Sequence, residues 1–144
     1  MSCILRAWGQ HFDVDAFMQH STLIVDSCWR TGERRFPKRA ADNFLNKINE
    51  SSGIRVVASE AGFSELEQQM DDATSFLRNN YEGVLELASF RDVEGIVLDF
   101  GAEIYPPGWS SFAFPAELVA LAGSARISLG LSVYPTDNEE DANG

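Results

Sequence analysis

Apolar and polar positions repeat in two ways along this chain, every second residue or every third and fourth, and the changes between the two mark its elements. Residues 3–8 read as a first strand, ended by Gly9. Asp13 then offers an N-cap to a short helix in which Val14, Phe17 and Met18 share a face, and Asp15 sits in the first turn, where the helix dipole favours negative charge. Residues 22–26 are apolar and β-branched and read as a strand or an extended packed segment; residues 28–33 read as a turn. Residues 34–52 show little periodicity: Ala40, Ala41, Phe44, Leu45 and Ile48 fit one weak amphipathic helix, which three asparagines weaken.

The second half is more strongly patterned. Residues 53–59 read as a strand. Ser64 and Glu67 form a capping box for a helix whose buried stripe is Leu66, Met70, Ala73 and Leu77, with Glu65, Glu67, Asp71 and Asp72 on its sides and outer face. That helix frays near Asn79 and Asn80, and another continues after a break at Gly83. Residues 95–100 read as a strand buried on both faces, residues 105–109 as a Pro-Gly turn, and residues 110–114 as a short strand. Pro115 opens a further helix with Glu117 near its positive end, and Gly123 closes it. In the last strand Ile127, Leu129, Leu131 and Val133 face one way, and Ser128, Gly130 and Ser132 the other. Strand–helix–strand units occur twice. The expected architecture is a single α+β domain over residues 1–134, followed by a disordered acidic tail over 135–144. Its sheet is mixed or mainly antiparallel, with four to five strands and two main helices on one face, ferredoxin-like at the coarse level.

Composition agrees with one core: 144 residues, 44% hydrophobic and 23% charged, with ten phenylalanines. Charge adds more. The net charge is −11, yet residues 1–50 carry six acids against seven bases, whereas residues 51–144 carry sixteen against four. Residues 30–39 alone hold five of the eleven basic side chains. A polyanion lacks the basic footprint that phosphate backbones require, so nucleic acid is not an expected partner; a basic protein is.

Cys3 and Cys28 form no CxxC pair, and no apolar run is long enough for a signal peptide or a membrane span. The expectation is a cytoplasmic chain with both thiols free. His11 and His20 flank one short helix on opposite sides and do not converge on a metal. Cys28 paired with a histidine would make a nucleophile and base, but no glycine-rich oxyanion turn follows it. No phosphate-cradling glycine motif occurs. Asp99, alone in an apolar strand, requires an exposed face or a partner such as Arg6 or Arg55. No enzyme activity, cofactor or metal is expected.

Several short motifs carry a resemblance: residues 12–17 (Phe-Asp-Val-Asp-Ala-Phe), residues 28–33 (Cys-Trp-Arg-Thr-Gly-Glu), the strand opened by Gly53 with the Leu66 helix after it, and residues 114–123 leading into residues 127–134. In these the chain resembles the bacterial family of small proteins catalogued as domain of unknown function 4279, over about residues 3–134. Residues 34–52 are longer than that family's pattern. The resemblance implies an α+β domain without established catalysis, and by analogy of class an immunity protein of a bacterial toxin system.

Two binding expectations follow. In the first, the acidic surface of Glu60, Glu65, Glu67, Asp71, Asp72 and Glu103 is steered onto a basic toxin, with Tyr105 and Trp109 as desolvated contacts, and inhibits it by occlusion. In the alternative, Trp29, Arg30, Arg34 and Arg35 form a cationic, aromatic-lined cleft for a small molecule or anion.

Overall fold

The computed structural model describes residues 2–35, 47–104 and 111–136. Within them the chain runs through β1 (Cys3–Gly9), α1 (Val14–His20), β2 (Ser27–Trp29), β3 (Ser52–Ser59), α2 (Leu66–Asn79), α3 (Tyr81–Ser89), β4 (Gly95–Ile104), α4 (Ala116–Ser124) and β5 (Ser128–Pro135). The strands lie side by side in the order β2-β3-β1-β4-β5. The first four pair antiparallel, and with α1 between β1 and β2 and the α2–α3 pair between β3 and β4 they make a split β-α-β arrangement, ferredoxin-like at the coarse level; its second unit is the one from β3 to β4, not the expected unit of a 110–114 strand, the Pro115 helix and the Ile127 strand. β5 is an addition at the edge. It runs parallel to β4, so the chain needs a crossover between the two strands, and α4 supplies it.

The sheet has two unlike faces because the sequence alternates. Cys3, Leu5 and Ala7 of β1, Ile54 and Val56 of β3, and Ile96, Leu98 and Phe100 of β4 are buried in one continuous core. The helices lie on that side. Phe17 of α1, Leu66, Met70, Ala73 and Leu77 of α2, Val84 and Leu87 of α3, and Leu118 and Ala122 of α4 join the same core. Phe12, Phe17 and Phe90 meet edge to face with centroids 5.3–6.1 Å apart. Arg6, Trp8, Arg55, Val97 and Asp99 alternate with the core residues and face away from all four helices, only partly buried.

Several local expectations change. Residues 22–26 form no strand. Pairing begins at Ser27 and takes in Cys28 and Trp29, the first residues of the stretch read as a turn, because Asp26 anchors the chain beside β3: its backbone N–H donates to Arg55 O at 2.9 Å and its carboxylate accepts from Val57 N at 2.6 Å. Asp13 caps α1 as expected, accepting from Ala16 N at 3.0 Å. The Ser64–Glu67 capping box does not form. Glu65 takes the N-cap position of α2, and no side chain bonds there. The break between α2 and α3 falls at Asn80, not at Gly83, which lies inside α3 because a Cβ there would press on Leu23 and Thr22. Residues 95–100 are covered on one face, not two, and the strand extends to Ile104. Residues 111–115 form no strand. Gly123 is helical, and α4 ends at Ala125. Pro135 belongs to β5, and the next residue, Thr136, still donates its N–H to Ile104 O, so ordered structure passes the expected tail boundary. Of the weak helix expected from Ala40 to Ile48, residues 40–46 lie outside the described residues, as do the turn over 105–109 and the tail beyond 136, and Ile48 is not helical but bridges Arg34.

Candidate functional site

Of the residues singled out for the acidic surface, those of α2 lie on the helical side, with unequal freedom, whereas Glu103 alternates with the core positions of β4 and faces away from the helices. Glu65, Glu67 and Asp71 are exposed at the start and along the outer side of α2, and Glu60 is exposed just after β3. Glu82 and Glu86 extend the acid onto α3. In residues 60–89 Arg78 is the single basic side chain, and its guanidinium binds Glu117 of α4. Asp72 is committed to the fold: it accepts from Ser59 Oγ at 2.7 Å and from Gln68 Nε2 at 2.8 Å. Glu103 lies on β4, half-buried, and accepts from Thr136 Oγ1 at 3.4 Å. Tyr105 and Trp109 are outside the described residues.

The cationic residues lie on the other side, where sheet and loop meet. The antiparallel bridge between Arg34 and Ile48 closes the loop after β2 into a wall. Gly32 takes a positive φ of 87° at the turn, and its N–H donates to Asn49 O at 2.9 Å. Thr31 ties the loop to β3 through Ser52 Oγ at 2.8 Å. Between wall and sheet lies a cleft of about 1070 Å3 lined by Trp29 and Cys28 and by charges of both signs, Arg34, Arg35 and Arg55 with Glu33, Glu50 and Glu94. Three of the four expected cleft residues, Trp29, Arg34 and Arg35, are thus brought together. Arg30 is not part of this lining. It makes a double hydrogen bond to Asp15 of α1, at 2.7 and 3.0 Å, and approaches Glu33 at 3.7 Å. That bond to Arg30 holds the Asp15 carboxyl below its ordinary range, and Asp15 in turn raises the guanidinium.

Sequence reasoning missed Arg55, Arg6 and Trp8 as site residues. Strand register brings Arg55 into the cleft and sets Arg6 and Trp8 beside it on the same face of the sheet. Trp29, Gly53, Trp8 and Gly95 stand in one row across β2, β3, β1 and β4, and Ser27, Arg55, Arg6 and Val97 in the next. Each indole lies over a glycine: a Cβ at Gly53 would collide with Trp29, and one at Gly95 with Trp8. Trp29 Nε1 donates to Ser51 Oγ at 3.3 Å, and the Arg55 guanidinium sits 4.5 Å from the Trp29 ring centroid, a cation–π distance. Burial, reinforced by the neighbouring charge of Arg6, lowers the pKa of Arg55. Arg6 Nη2 donates to Asp99 at 2.6 Å, while Ser132 Oγ donates to the same carboxylate at 3.0 Å. Asp99 therefore does pair with Arg6. The alternation of Arg6 and Trp8 with Leu5 and Ala7 was the available signal for this face.

Among the described residues no group of three or more His, Cys, Asp and Glu side chains is placed to hold a metal ion. Cys28 is half-buried against the large cleft; Cys3 is fully buried, and burial pushes its thiol far above the ordinary range, with Asp99 and Asp72 adding to the effect. No described helix is long and apolar enough to cross a membrane. No family model, curated protein or solved structure matches the chain, so the resemblance to domain of unknown function 4279 rests on its short motifs alone.

Proposed function

We propose that this chain is a non-enzymatic, immunity-type binding module, whose helical layer docks a basic bacterial toxin and blocks it by occlusion. The observation that carries the reading is the separation of charge between the two sides of the domain. The exposed acids Glu65, Glu67, Asp71, Glu82 and Glu86 lie on the helices, and the one basic side chain of that stretch is already bound to Glu117. Exposed like charges on one side create a field that accelerates encounter with an oppositely charged partner, while apolar contacts at the centre of the interface set its lifetime. Leu85 of α3 and Val119 of α4, both exposed, are available for such contacts.

The test is the association rate with the basic toxin domain encoded beside this chain, measured against ionic strength. In a variant with Glu65→Gln, Glu67→Gln and Asp71→Asn together, the rate is expected to fall by about tenfold or more at low salt and to lose most of its salt dependence. Asp72 is left in place because it braces Ser59. An unchanged rate and salt slope, or the lack of any basic toxin to bind, would rule the reading out.

A further inference from the structure

The helix-free face of the sheet carries a second surface, independent of the acidic layer. Two features of it call for a ligand. First, Trp8 and Trp29 stand in one cross-strand row, and their indoles extend over Gly95 and Gly53 rather than into the core. With Arg6, Arg55 and Val97 they line a recess of about 360 Å3, which shares Trp29 and Arg55 with the larger cleft. A volume of this size takes a one- or two-ring molecule. Second, Arg6 and Arg55 are direct cross-strand neighbours, a like-charge pairing that a sheet ordinarily avoids. A single carboxylate, Asp99, serves the pair among the described residues, and it bonds Arg6; Arg55 has only Ser27 Oγ at 3.4 Å and the Trp29 ring. Arg6 Nε is buried without a hydrogen-bond partner there. The recess is therefore flat, aromatic and short of negative charge.

We infer that it binds a small planar anion: an aromatic ring bearing a carboxylate or a phosphate. The ring stacks on Trp8 and Trp29, and the anionic group lies against the Arg55 and Arg6 guanidiniums, in the fork geometry that suits both carboxylate and phosphate. The net charge of −11 does not oppose this, because the acids of the helical layer lie across the sheet from the recess. In the adjoining cleft Arg34 and Arg35 stand with Glu33, Glu50 and Glu94, so the charge that attracts the anion is that of Arg6 and Arg55 in the recess itself.

Calorimetric titration of the full chain with four probes tests the inference: 2-naphthoate and adenosine 5′-monophosphate as the two anion sources, neutral adenosine, and inorganic phosphate. The expected result is measurable binding of at least one planar anion, with adenosine and phosphate at least tenfold weaker. Preference between naphthoate and the nucleotide identifies the anionic group. Trp8→Ala and Arg55→Gln should each weaken the preferred probe at least tenfold. Arg55→Lys, which keeps the charge, should recover part of the loss and guards against a folding defect. The Glu65/Glu67/Asp71 variant should bind it unchanged, which separates this site from the acidic layer. Adenosine binding as tightly as the nucleotide, phosphate binding as tightly as either planar anion, or no binding by any probe would overturn the inference.

Discussion

Gln69 does more for this fold than its polarity suggests. It is fully buried, and its amide donates to Gly62 O at 2.8 Å and to Gly101 O at 2.7 Å while accepting from Gly101 N at 3.2 Å. One side chain thus joins the loop before α2, α2 itself and the middle of β4. Gln69→Leu is expected to cost about 2–4 kcal/mol, because it strands buried backbone groups, and urea unfolding measures it. The apolar stripe of α2 was legible from spacing alone, since Leu66, Met70, Ala73 and Leu77 are all buried. Gln69 was not, because its partners lie 7 and 32 residues away and no local pattern marks them. Cys3 gives a second expectation. Its thiol stays protonated in the folded chain beyond the ordinary value of 9.0, whereas the unfolded chain ionises there. The folded state then holds the extra proton, so stability falls as the pH rises above that value, and Cys3→Ala should flatten the fall. Thiol labelling of the native protein at neutral pH should leave Cys3 unmodified until the chain unfolds.

Elements were easier to read than their ends. The alternating strands and the Asp13-capped helix are written in residues that contact one another locally. β2 is not. It is three residues long, and its place follows from Asp26, whose carboxylate and N–H both bond to β3 about thirty residues further on. Long-range pairing thus overrides the turn-like composition of residues 28–33. α1 and the loop after β2 are joined by Asp15 and Arg30. The Asp15 carboxyl is held low, so its contribution is present above the unfolded value and is lost as the pH falls through the folded one. Amide protection in α1 and residues 30–33, taken relative to the intrinsic exchange rate at each pH, should fall on acidification, and Asp15→Asn should show the lower protection already at neutral pH. Gly95→Ala probes the sheet: the added methyl collides with Trp8. Its expected effect is a changed tryptophan fluorescence and weakened planar-anion binding, with the helical layer's charge untouched.

At the scale of the molecule, the sequence announced a polyanion with a cationic segment, and the fold turns that linear asymmetry into a spatial one. Exposed acids with a single base collect on α2 and α3, while the cations of β1, β3 and the loop after β2 meet on the opposite side, where Glu33, Glu50, Glu94 and Asp99 stand among them. The cluster at Arg6 and Arg55 was illegible as a site because the two are 49 residues apart and become neighbours only through the β1–β3 register. Charge-reversal on one side should therefore leave binding on the other intact, and a double variant should show additive effects on the two association constants.

β1 occupies the middle of the sheet, although it comes before the other strands along the chain. Its two hydrogen-bonding neighbours begin at Ser52 and Gly95, so one side of it waits for β3 and the other for β4 to leave the ribosome. The nascent protein must hold Cys3, Leu5 and Ala7 unsheltered meanwhile, at a synthesis rate of roughly 5–20 residues per second. Loop closure over such separations is slow, which places refolding of the finished chain in the millisecond-to-second range and makes the leading residues a natural target for chaperones.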